Sequence, residues 1–357
     1  MIRIHYGTGK PLTNPGGTHS VILGLSSAQE EINRVVIRVD QIKLLGKKYQ
    51  SSSNLPKGRQ FNYVNEFHFC LSYLHVLLRN PLLVLRSNLN ILHFHGPWYL
   101  ESKIQNPKAR VRNSLKFILE FTILHSFPQI ICVSQAFAEL LNTRFKINSS
   151  KITVISAGVD TNRFMPSSEP QKVGEGKRAL RIGTVRRLVP RMGLEILISS
   201  MLEIEDAYLT IVGIGPLEEK LKQLILDLGL SERVTLSGYI RDENLPDFYR
   251  NIDLCVIPSI ALEGFCVTAL EAMACGIPVI ATNLEGLKES VGKCDSRLLF
   301  EANSIPALVA QISLAKENFV GNSLKFRNYS LGYSWASIAL TLEELIHSKT
   351  KQEIKIN

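Results

Sequence analysis

The chain has 357 residues, of which 45% are hydrophobic and 20% are charged. A chain of this length usually folds as two domains, and this composition excludes a disordered or fibrous protein. The charge is uneven, because residues 1–150 contain 18 Lys and Arg against 7 Asp and Glu, whereas the remainder contains 23 against 25. The basic first half leaves open nucleic acid, anionic lipid, an anionic substrate and a plain solvated surface.

The N-terminal sequence MIRIHYGTGK lacks the long apolar stretch and small-residue cleavage site of a signal peptide, so a cytoplasmic protein is expected. Polar residues interrupt the apolar region 67–94, and no membrane-spanning helix is expected there. The six cysteines show no CxxC pairing, which predicts reduced, structural thiols rather than a metal site.

The first half of the chain predicts an α/β domain. Strands are indicated by the runs IRIHY, VVIRV, ILHFHG, QIICVS and ITVIS. A glycine-rich loop at 15–17 precedes a helix to about Gln29, and further helices are predicted within 109–126 and at 136–145. The segment 166–178 is rich in Pro, Gly, Ser and charge, which is typical of an exposed connection between domains. We therefore predict an N-terminal domain over 1–165.

The second half alternates apolar runs with amphipathic helical stretches. The runs are RIGTV, YLTIVG, VTLSGYI, LCVIPS and PVIAT. Continuous apolar strands separated by helices predict a parallel sheet covered on both faces, in a doubly wound domain over 166–332. The tail 333–357 predicts a helix that crosses back to the first domain. Two such domains would bind ligands in a cleft between the carboxyl edges of their sheets.

Two glutamates, Glu263 and Glu271, lie eight residues apart across the predicted strand-to-helix turn PSIALEGFCVTALEAMA. Gly264 would let the backbone approach a ligand, and the amides of Phe265 and Cys266 begin a helix whose positive end favours a phosphate. The carboxylates themselves suit hydroxyl groups, which donate hydrogen bonds to them. Sugar and ribose hydroxyls fit this pattern, and surface glutamates on an ordinary helix are the alternative.

Nine segments in order resemble the retaining glycosyltransferases of family 4. They are PGG at 15–17, HFHGPW at 93–98, ICVSQAF at 131–137, ISAGVDTNRF at 155–164, RRLVPRMG at 186–193, IVGIGP at 211–216, VTLSGYI at 234–240, EGFCVTALEAMACGIPVIAT at 263–282 and SW at 334–335. The resemblance implies a GT-B fold of two Rossmann-like domains. It also implies a nucleoside-diphosphate sugar donor, UDP- or GDP-sugar, bound by the C-terminal domain, and an acceptor bound by the N-terminal domain.

The resemblance implies roles for individual residues. Glu263 matches the glutamate that contacts the donor sugar, and Glu271 the one that holds the ribose. Arg187 matches the arginine that neutralises the diphosphate, and His95 a histidine near the sugar and acceptor. The remaining donor-binding residues implied are Gly16, Gly17, Arg191, Gly213, Gly238, Gly264 and Phe265.

One position departs from the family pattern, which usually has Lys where this chain has Met192. Arg191 is the neighbouring cation that would have to compensate, although successive residues point in different directions. The departure leaves open a weakened or inactive paralogue that acts as a binding protein. Two further enzyme classes on the same fold also stay open, an epimerase and a phosphorylase with pyridoxal phosphate.

The implied reaction is a retaining sugar transfer to a glycan acceptor, with a lipid-linked or cell-envelope precursor as the expected class. No D-x-D triplet occurs in the sequence, so no metal and no cofactor are expected. The basic half has no recognised module for nucleic acid. It predicts docking on the cytosolic face of an anionic membrane. Within 109–126, the apolar face of Phe117, Ile118 and Phe121 is expected to be buried in its own domain.

Overall fold

The computed structural model describes residues 2–8, 35–41, 60–64, 90–167 and 179–356. The chain divides into two compact units. Unit 1 contains Met1–Gly158 and Trp335–Asn357, and unit 2 contains Val159–Ser334. Each unit is built on its own six-stranded sheet.

The sheet of unit 1 is parallel throughout, in the order β2-β1-β3-β4-β5-β6. Its strands are β1 (Ile2–Thr8), β2 (Val35–Gln41), β3 (Gln60–Val64), β4 (Asn90–Phe94), β5 (Gln129–Cys132) and β6 (Ile152–Val154). Between its strands the described helices are α1 (Trp98–Gln105), α2 (Arg110–Ser126) and α3 (Gln135–Phe145). The predicted helix ending near Gln29 lies outside the described residues.

The sheet of unit 2 is also parallel, in the order β12-β11-β10-β7-β8-β9. Its strands are β7 (Leu180–Val185), β8 (Ala207–Val212), β9 (Val234–Gly238), β10 (Leu254–Ile257), β11 (Val279–Thr282) and β12 (Leu299–Phe300). Counted from β7, this is the strand order of a dinucleotide-binding Rossmann domain. The two inner strands β10 and β11 are buried along their whole length, as their continuous apolar runs predict.

Helices cover the sheet of unit 2 through a core of Leu, Ile, Val, Met and Ala side chains. They are α4 (Leu194–Ser200), α5 (Glu218–Asp227), α6 (Leu245–Arg250), α7 (Val267–Ala274), α8 (Ile305–Asn318) and α9 (Ser323–Leu331), with a short segment at Glu285–Leu287 that continues as one wide turn at Lys288–Gly292. The predicted doubly wound architecture is confirmed in both units.

The boundary between the units differs from the one placed by sequence at 165/166. The Arg327 guanidinium donates hydrogen bonds of 2.8 and 2.7 Å to the carbonyls of Thr161 and Phe164. These bonds tie segment 159–165 to unit 2. The final helix α10 (Trp335–Ile356) groups with unit 1, where Trp335 packs on Gly158 so closely that a Cβ there would lie 2.6 Å from the indole.

Helix α2 has one packed face and one exposed face. Phe117 on the packed side stacks on Phe145, with ring centroids 5.6 Å apart. The Ile118 side chain is 60% exposed, so the expectation that it is buried is wrong. Val111 and Leu115 share its exposure, at 77% and 63%. The three apolar side chains recur at helical spacing and form a stripe on the surface of unit 1.

Candidate functional site

Unit 2 has a switch in strand order between β7 and β10. The chain passes from β7 to its neighbour on one side, β8, and from β10 to its neighbour on the other side, β11. The loops that follow β7 and β10 therefore diverge at the carboxyl edge of the sheet, which is where doubly wound domains bind ligands. These loops, 186–193 and 258–266, contain five of the site residues that the sequence singles out: Arg187, Arg191, Glu263, Gly264 and Phe265.

The Glu263 carboxylate is held by two neighbours. The Ser259 hydroxyl donates a hydrogen bond of 2.9 Å to Oε2, and Arg186 Nη2 lies 3.2 Å from the same oxygen. The Arg186 and Glu263 side chains are only 6% and 10% exposed. Within the described part of the chain, Oε1 makes no hydrogen bond. One oxygen of Glu263 is thus fixed, and the other remains for a ligand.

The loop that carries Glu263 is packed closely against the turn 190–193. Gly193 has φ +65°, and a Cβ there would lie 2.0 Å from the Pro258 carbonyl oxygen. Leu262 has φ +50°, an uncommon conformation for a bulky residue. Its carbonyl accepts a hydrogen bond of 3.2 Å from Arg191 Nη1. Arg191 therefore contacts the backbone directly before Glu263.

The two adjacent arginines after β7 have opposite environments. Arg187, expected from the sequence to neutralise a diphosphate, is exposed. Arg186 is buried, and its Nη2 also lies 3.1 Å from Cys266 Sγ. Burial lowers the pKa of Arg186, whereas Cys266 and Glu263 raise it by a larger amount. The pKa of Arg186 therefore lies above its ordinary value. Arg186 is a buried cation that the sequence reasoning did not single out.

Glu271 lies on α7 and is buried. Among the described residues, no Lys, Arg or His forms an ion pair with it. The Tyr249 hydroxyl donates a hydrogen bond of 3.0 Å to its Oε2. Burial raises the pKa of Glu271 to about 7, against the opposing effects of the Tyr249 hydrogen bond and the charge of Arg163. The carboxyl group is therefore poised to titrate near neutral pH.

The glycines of IVGIGP and VTLSGYI bring two further loops to the same edge. Gly213 has φ +143°, and a Cβ there would lie 1.8 Å from the Arg186 carbonyl oxygen. The Gly213 amide donates a hydrogen bond of 2.8 Å to the Gly238 carbonyl. Only glycine at 213 lets this loop lie against the backbone of Arg186.

Helix α7 begins directly after the Glu263 loop. Its N-cap, Cys266, makes no side-chain capping hydrogen bond, and the first amides of such a helix favour an anion. Gly264 is buried, and a Cβ on Gly286 would lie 2.3 Å from its carbonyl oxygen. The Phe265 ring lies 5.7 Å from that of Tyr333, centroid to centroid.

Met192, the departure from the family pattern, is buried in the core of unit 2. Its Sδ lies 3.8 Å from the Ser259 hydroxyl oxygen, which in turn donates to Glu263. Position 192 therefore reaches the neighbourhood of the Glu263 carboxylate without bringing a charge.

His95 belongs to unit 1, where it follows β4 at the carboxyl edge of that sheet. Its ring lies 4.2 Å from that of His93, centroid to centroid. Burial lowers the pKa of His95 to about 4, so the imidazole is neutral at pH 7. A neutral imidazole can donate or accept a hydrogen bond with a sugar hydroxyl. Gly16 and Gly17 lie outside the described residues.

The buried carboxyl group of Glu120 fixes the segment after His95. Glu120 on α2 accepts hydrogen bonds of 2.9 and 3.0 Å from the amides of Trp98 and Tyr99, at the start of α1. Burial raises the pKa of Glu120 to about 8. The sequence reasoning missed this contact, because nothing in the spacing of 98 and 120 indicates that the two helices meet.

Profiles of two known families match the chain. Residues 59–163 match "Glycosyltransferase Family 4", and residues 167–329 match "Glycosyl transferases group 1". The chain belongs to the family 4 glycosyltransferases. This membership confirms the resemblance drawn from the nine sequence segments.

Relatives of this glycosyltransferase include a GDP-mannose-dependent phosphatidylinositol monomannoside mannosyltransferase of Mycobacterium tuberculosis. It is 28% identical over 218 residues, 56% of either chain. The mannosylfructose-phosphate synthase of Agrobacterium fabrum is 32% identical over 238 residues, 58% of this chain and 52% of the relative. The matched part is thus a little over half the length of these curated relatives.

Solved structures resemble the glycosyltransferase over nearly its whole length. The sucrose-phosphate synthase of Thermosynechococcus elongatus has a TM-score of 0.73 at 19% identity, with 99% of this chain and 100% of that chain covered. The Anabaena protein HepE, solved with UDP, has a TM-score of 0.72 at 19% identity, with 97% and 99% covered. At these identities the likeness establishes the fold, which is GT-B.

The described residues contain neither a cluster of metal ligands nor a membrane span. In the parts of the chain given above, no three His, Cys, Asp or Glu side chains come together as a metal site would require. No helix in those parts combines the length and the apolar character needed to cross a membrane.

Proposed function

We propose that this glycosyltransferase transfers a sugar, with retained anomeric configuration, from a UDP- or GDP-sugar to a lipid-linked or cell-envelope glycan precursor. The observation that carries the proposal is the pair of carboxylates at the switch edge of unit 2, Glu263 after β10 and Glu271 on α7. A nucleotide-sugar donor is supported by two similar proteins. One relative is named as GDP-mannose-dependent, and the structural neighbour HepE was solved with UDP-glucose.

Each donor contact follows from the chemistry of one group. The Glu271 carboxylate accepts hydrogen bonds from ribose hydroxyls, and Glu263 accepts them from the sugar. The diphosphate lies at the start of α7, near the amides of Phe265 and Cys266, where the helix dipole favours an anion. The exposed guanidinium of Arg187 provides a planar, permanently charged partner for it.

The proposed reaction needs no protein nucleophile. The bond between the sugar C1 and the diphosphate oxygen breaks, and the acceptor oxygen bonds to C1 on the same face. The acceptor's proton passes to the departing phosphate oxygen. Arg187 and the start of α7 stabilise the charge that develops on the diphosphate, since preorganised charges and dipoles need no reorganisation during the reaction. No metal and no cofactor take part in this scheme.

Thermal denaturation with a panel of UDP-, GDP- and ADP-sugars tests the donor class, because a ligand that binds only the folded state raises the Tm. Nucleotides of one base are expected to raise the Tm, both as the free nucleoside diphosphate and as its sugar conjugates. Addition of EDTA is expected to leave this rise in Tm unchanged. An unchanged Tm with every nucleotide would contradict the proposal.

We also propose that unit 1 docks on an anionic membrane surface. The stripe of Val111, Leu115 and Ile118 on α2 is flanked by the exposed side chains of Arg110 and Arg112. Apolar side chains beside cations suit insertion at a lipid headgroup surface, where each cation contributes about 1 kcal/mol. Such a surface would present a lipid-linked acceptor.

Cosedimentation with vesicles tests the membrane proposal. Binding is expected with phosphatidylglycerol vesicles at low salt, to be lost on phosphatidylcholine alone, and to fall as salt screens exposed charges over about 8 Å. Arg110→Gln and Arg112→Gln should each weaken it, whereas Lys220→Gln, which removes one exposed cation of unit 2, is the matched control. Equal binding to neutral vesicles, or none to either kind, would contradict anionic docking.

A further inference from the structure

Arg186 is a buried charged group that the proposed reaction scheme leaves unused. Its Nη2 lies 3.2 Å from Glu263 Oε2 and 3.1 Å from Cys266 Sγ. Its Nε is also buried and makes no hydrogen bond in the described part of the structure. A guanidinium that is desolvated and incompletely bonded is a poor source of stability, because an apolar side chain of similar volume would fill the space without this cost.

The Arg186 guanidinium acts on one oxygen of the Glu263 carboxylate. Ser259 donates to the same Oε2 from 2.9 Å, so two donors fix this oxygen. A carboxylate with one oxygen held in this way cannot rotate freely, and its Oε1 keeps one direction.

We propose that Arg186 is a positioning residue, which orients the Glu263 carboxylate toward the hydroxyls of the donor sugar. This inference rests on the proposed donor site and goes beyond it, because it assigns the control of sugar contact to a residue that the proposed reaction scheme leaves unused. Arg186 also places a cation beside Glu263, where the neighbouring Met192 brings none.

Positions 186 and 192 both lie close to the Glu263 carboxylate, so a cation at either position could orient it. Met192 Sδ lies 3.8 Å from Ser259 Oγ, and that hydroxyl bonds to the oxygen that Arg186 contacts. A lysine side chain at 192 would be one atom longer than that of methionine, and would bring an ammonium close to the Glu263 carboxylate. With Arg186 present, it would add a second buried cation beside the first.

Kinetics of single variants test the inference, with GDP-mannose and UDP-glucose as the donor probes. Arg186→Met should lower kcat by roughly 10- to 100-fold, as loss of orientation does. It should leave the Kd for free UDP or GDP within about twofold, because these ligands lack the sugar that Glu263 contacts. Arg186→Lys, which keeps the cation, should recover part of kcat.

Two double variants separate positioning from a merely structural role. Arg186→Met/Glu263→Gln should be no slower than Glu263→Gln alone, because a residue that acts through Glu263 has nothing left to orient. Arg186→Met/Met192→Lys should be faster than Arg186→Met, whereas Met192→Lys alone should gain nothing. Circular dichroism and the Tm establish that each variant is folded.

The results that would overturn the inference are distinct from those that would overturn the proposed function. Wild-type protein that turns over no donor contradicts the proposed function, whatever Arg186 does. Active wild-type protein with a folded, fully active Arg186→Met variant overturns the positioning role. An additive loss in Arg186→Met/Glu263→Gln, or no rescue by Met192→Lys, also overturns it.

Discussion

The two glutamates of the candidate site differ in what surrounds them. Glu263 lies in a loop and contacts the permanent cation of Arg186, at 3.2 Å. Glu271 lies on a helix, where its hydrogen bond comes from the neutral hydroxyl of Tyr249 and burial raises its pKa to about 7. Two identical side chains eight positions apart therefore have different partners, a guanidinium for Glu263 and a phenol hydroxyl for Glu271. The difference suits a carboxylate at the reacting sugar and another at the ribose.

The largest expected effect comes from Glu263. Glu263→Gln keeps the shape of the side chain but removes the charge beside Arg186, and turnover should fall by about 100-fold, as for loss of one preorganised polar contact. The Kd for free UDP or GDP should change little. Steady-state kinetics and calorimetry measure the two quantities, and an equal loss in both would place Glu263 at the nucleotide instead of the sugar.

A substitution of Glu271 should change nucleotide affinity, whereas the substitution of Glu263 should change mainly turnover. Glu271→Ala removes an acceptor of charge-assisted ribose hydrogen bonds worth roughly 1.5–3 kcal/mol, so nucleotide affinity should fall at least about tenfold. Tyr249→Phe, which leaves the carboxylate in place, is the matched control and should have a smaller effect. Unchanged affinity of Glu271→Ala by calorimetry would contradict the ribose assignment.

The smallest expected effect is a pH dependence that arises from Glu271. Glu271 gains a proton as the pH falls through about 7. A neutral carboxyl is the weaker acceptor, so nucleotide affinity should fall by roughly three- to tenfold between pH 8 and 6. Glu271→Gln should remove this component, while keeping any titration of the nucleotide phosphates. The same pH profile in both proteins would show that Glu271 does not titrate in this range.

Glu271 also makes the stability of the protein depend on pH. Stability should fall as the pH rises, whereas nucleotide affinity should fall as the pH decreases. The pKa of Glu271 in the folded protein, about 7, lies above its ordinary value of 4.5. Its favourable contribution is therefore complete below pH 4.5 and is lost as the pH rises through about 7. Glu271→Gln should accordingly raise the Tm of the ligand-free protein at pH 8 and leave it nearly unchanged at pH 4.

The sequence predicted most strands of the fold because buried parallel strands are continuous apolar runs. Two strands were missed for that same reason. In β3, Gln60–Val64, polar and apolar residues alternate, and β12, Leu299–Phe300, has only two residues. The exposed stripe on α2 was also missed, since helical spacing of apolar residues indicates a face but not what covers it.

The sequence predicted the two glutamates of the site but not the cation that pairs with one of them. The dipeptide at 186 and 187 offers two arginines, and successive side chains leave the backbone in different directions. Which arginine is buried depends on Cys266 and Glu263, residues far along the chain that only the fold brings close. The functional consequence of Met192 depends on the same contacts.

NMR of the complete reaction is the sharpest test of unit 2 as the donor site of a retaining transferase. Protein incubated with the nucleotide sugar that raises its Tm, and with a membrane extract as the acceptor source, should release nucleoside diphosphate. The anomeric proton of the product should show the same configuration as the donor. Inverted configuration, or no release of diphosphate from any donor by folded protein, would contradict the claim.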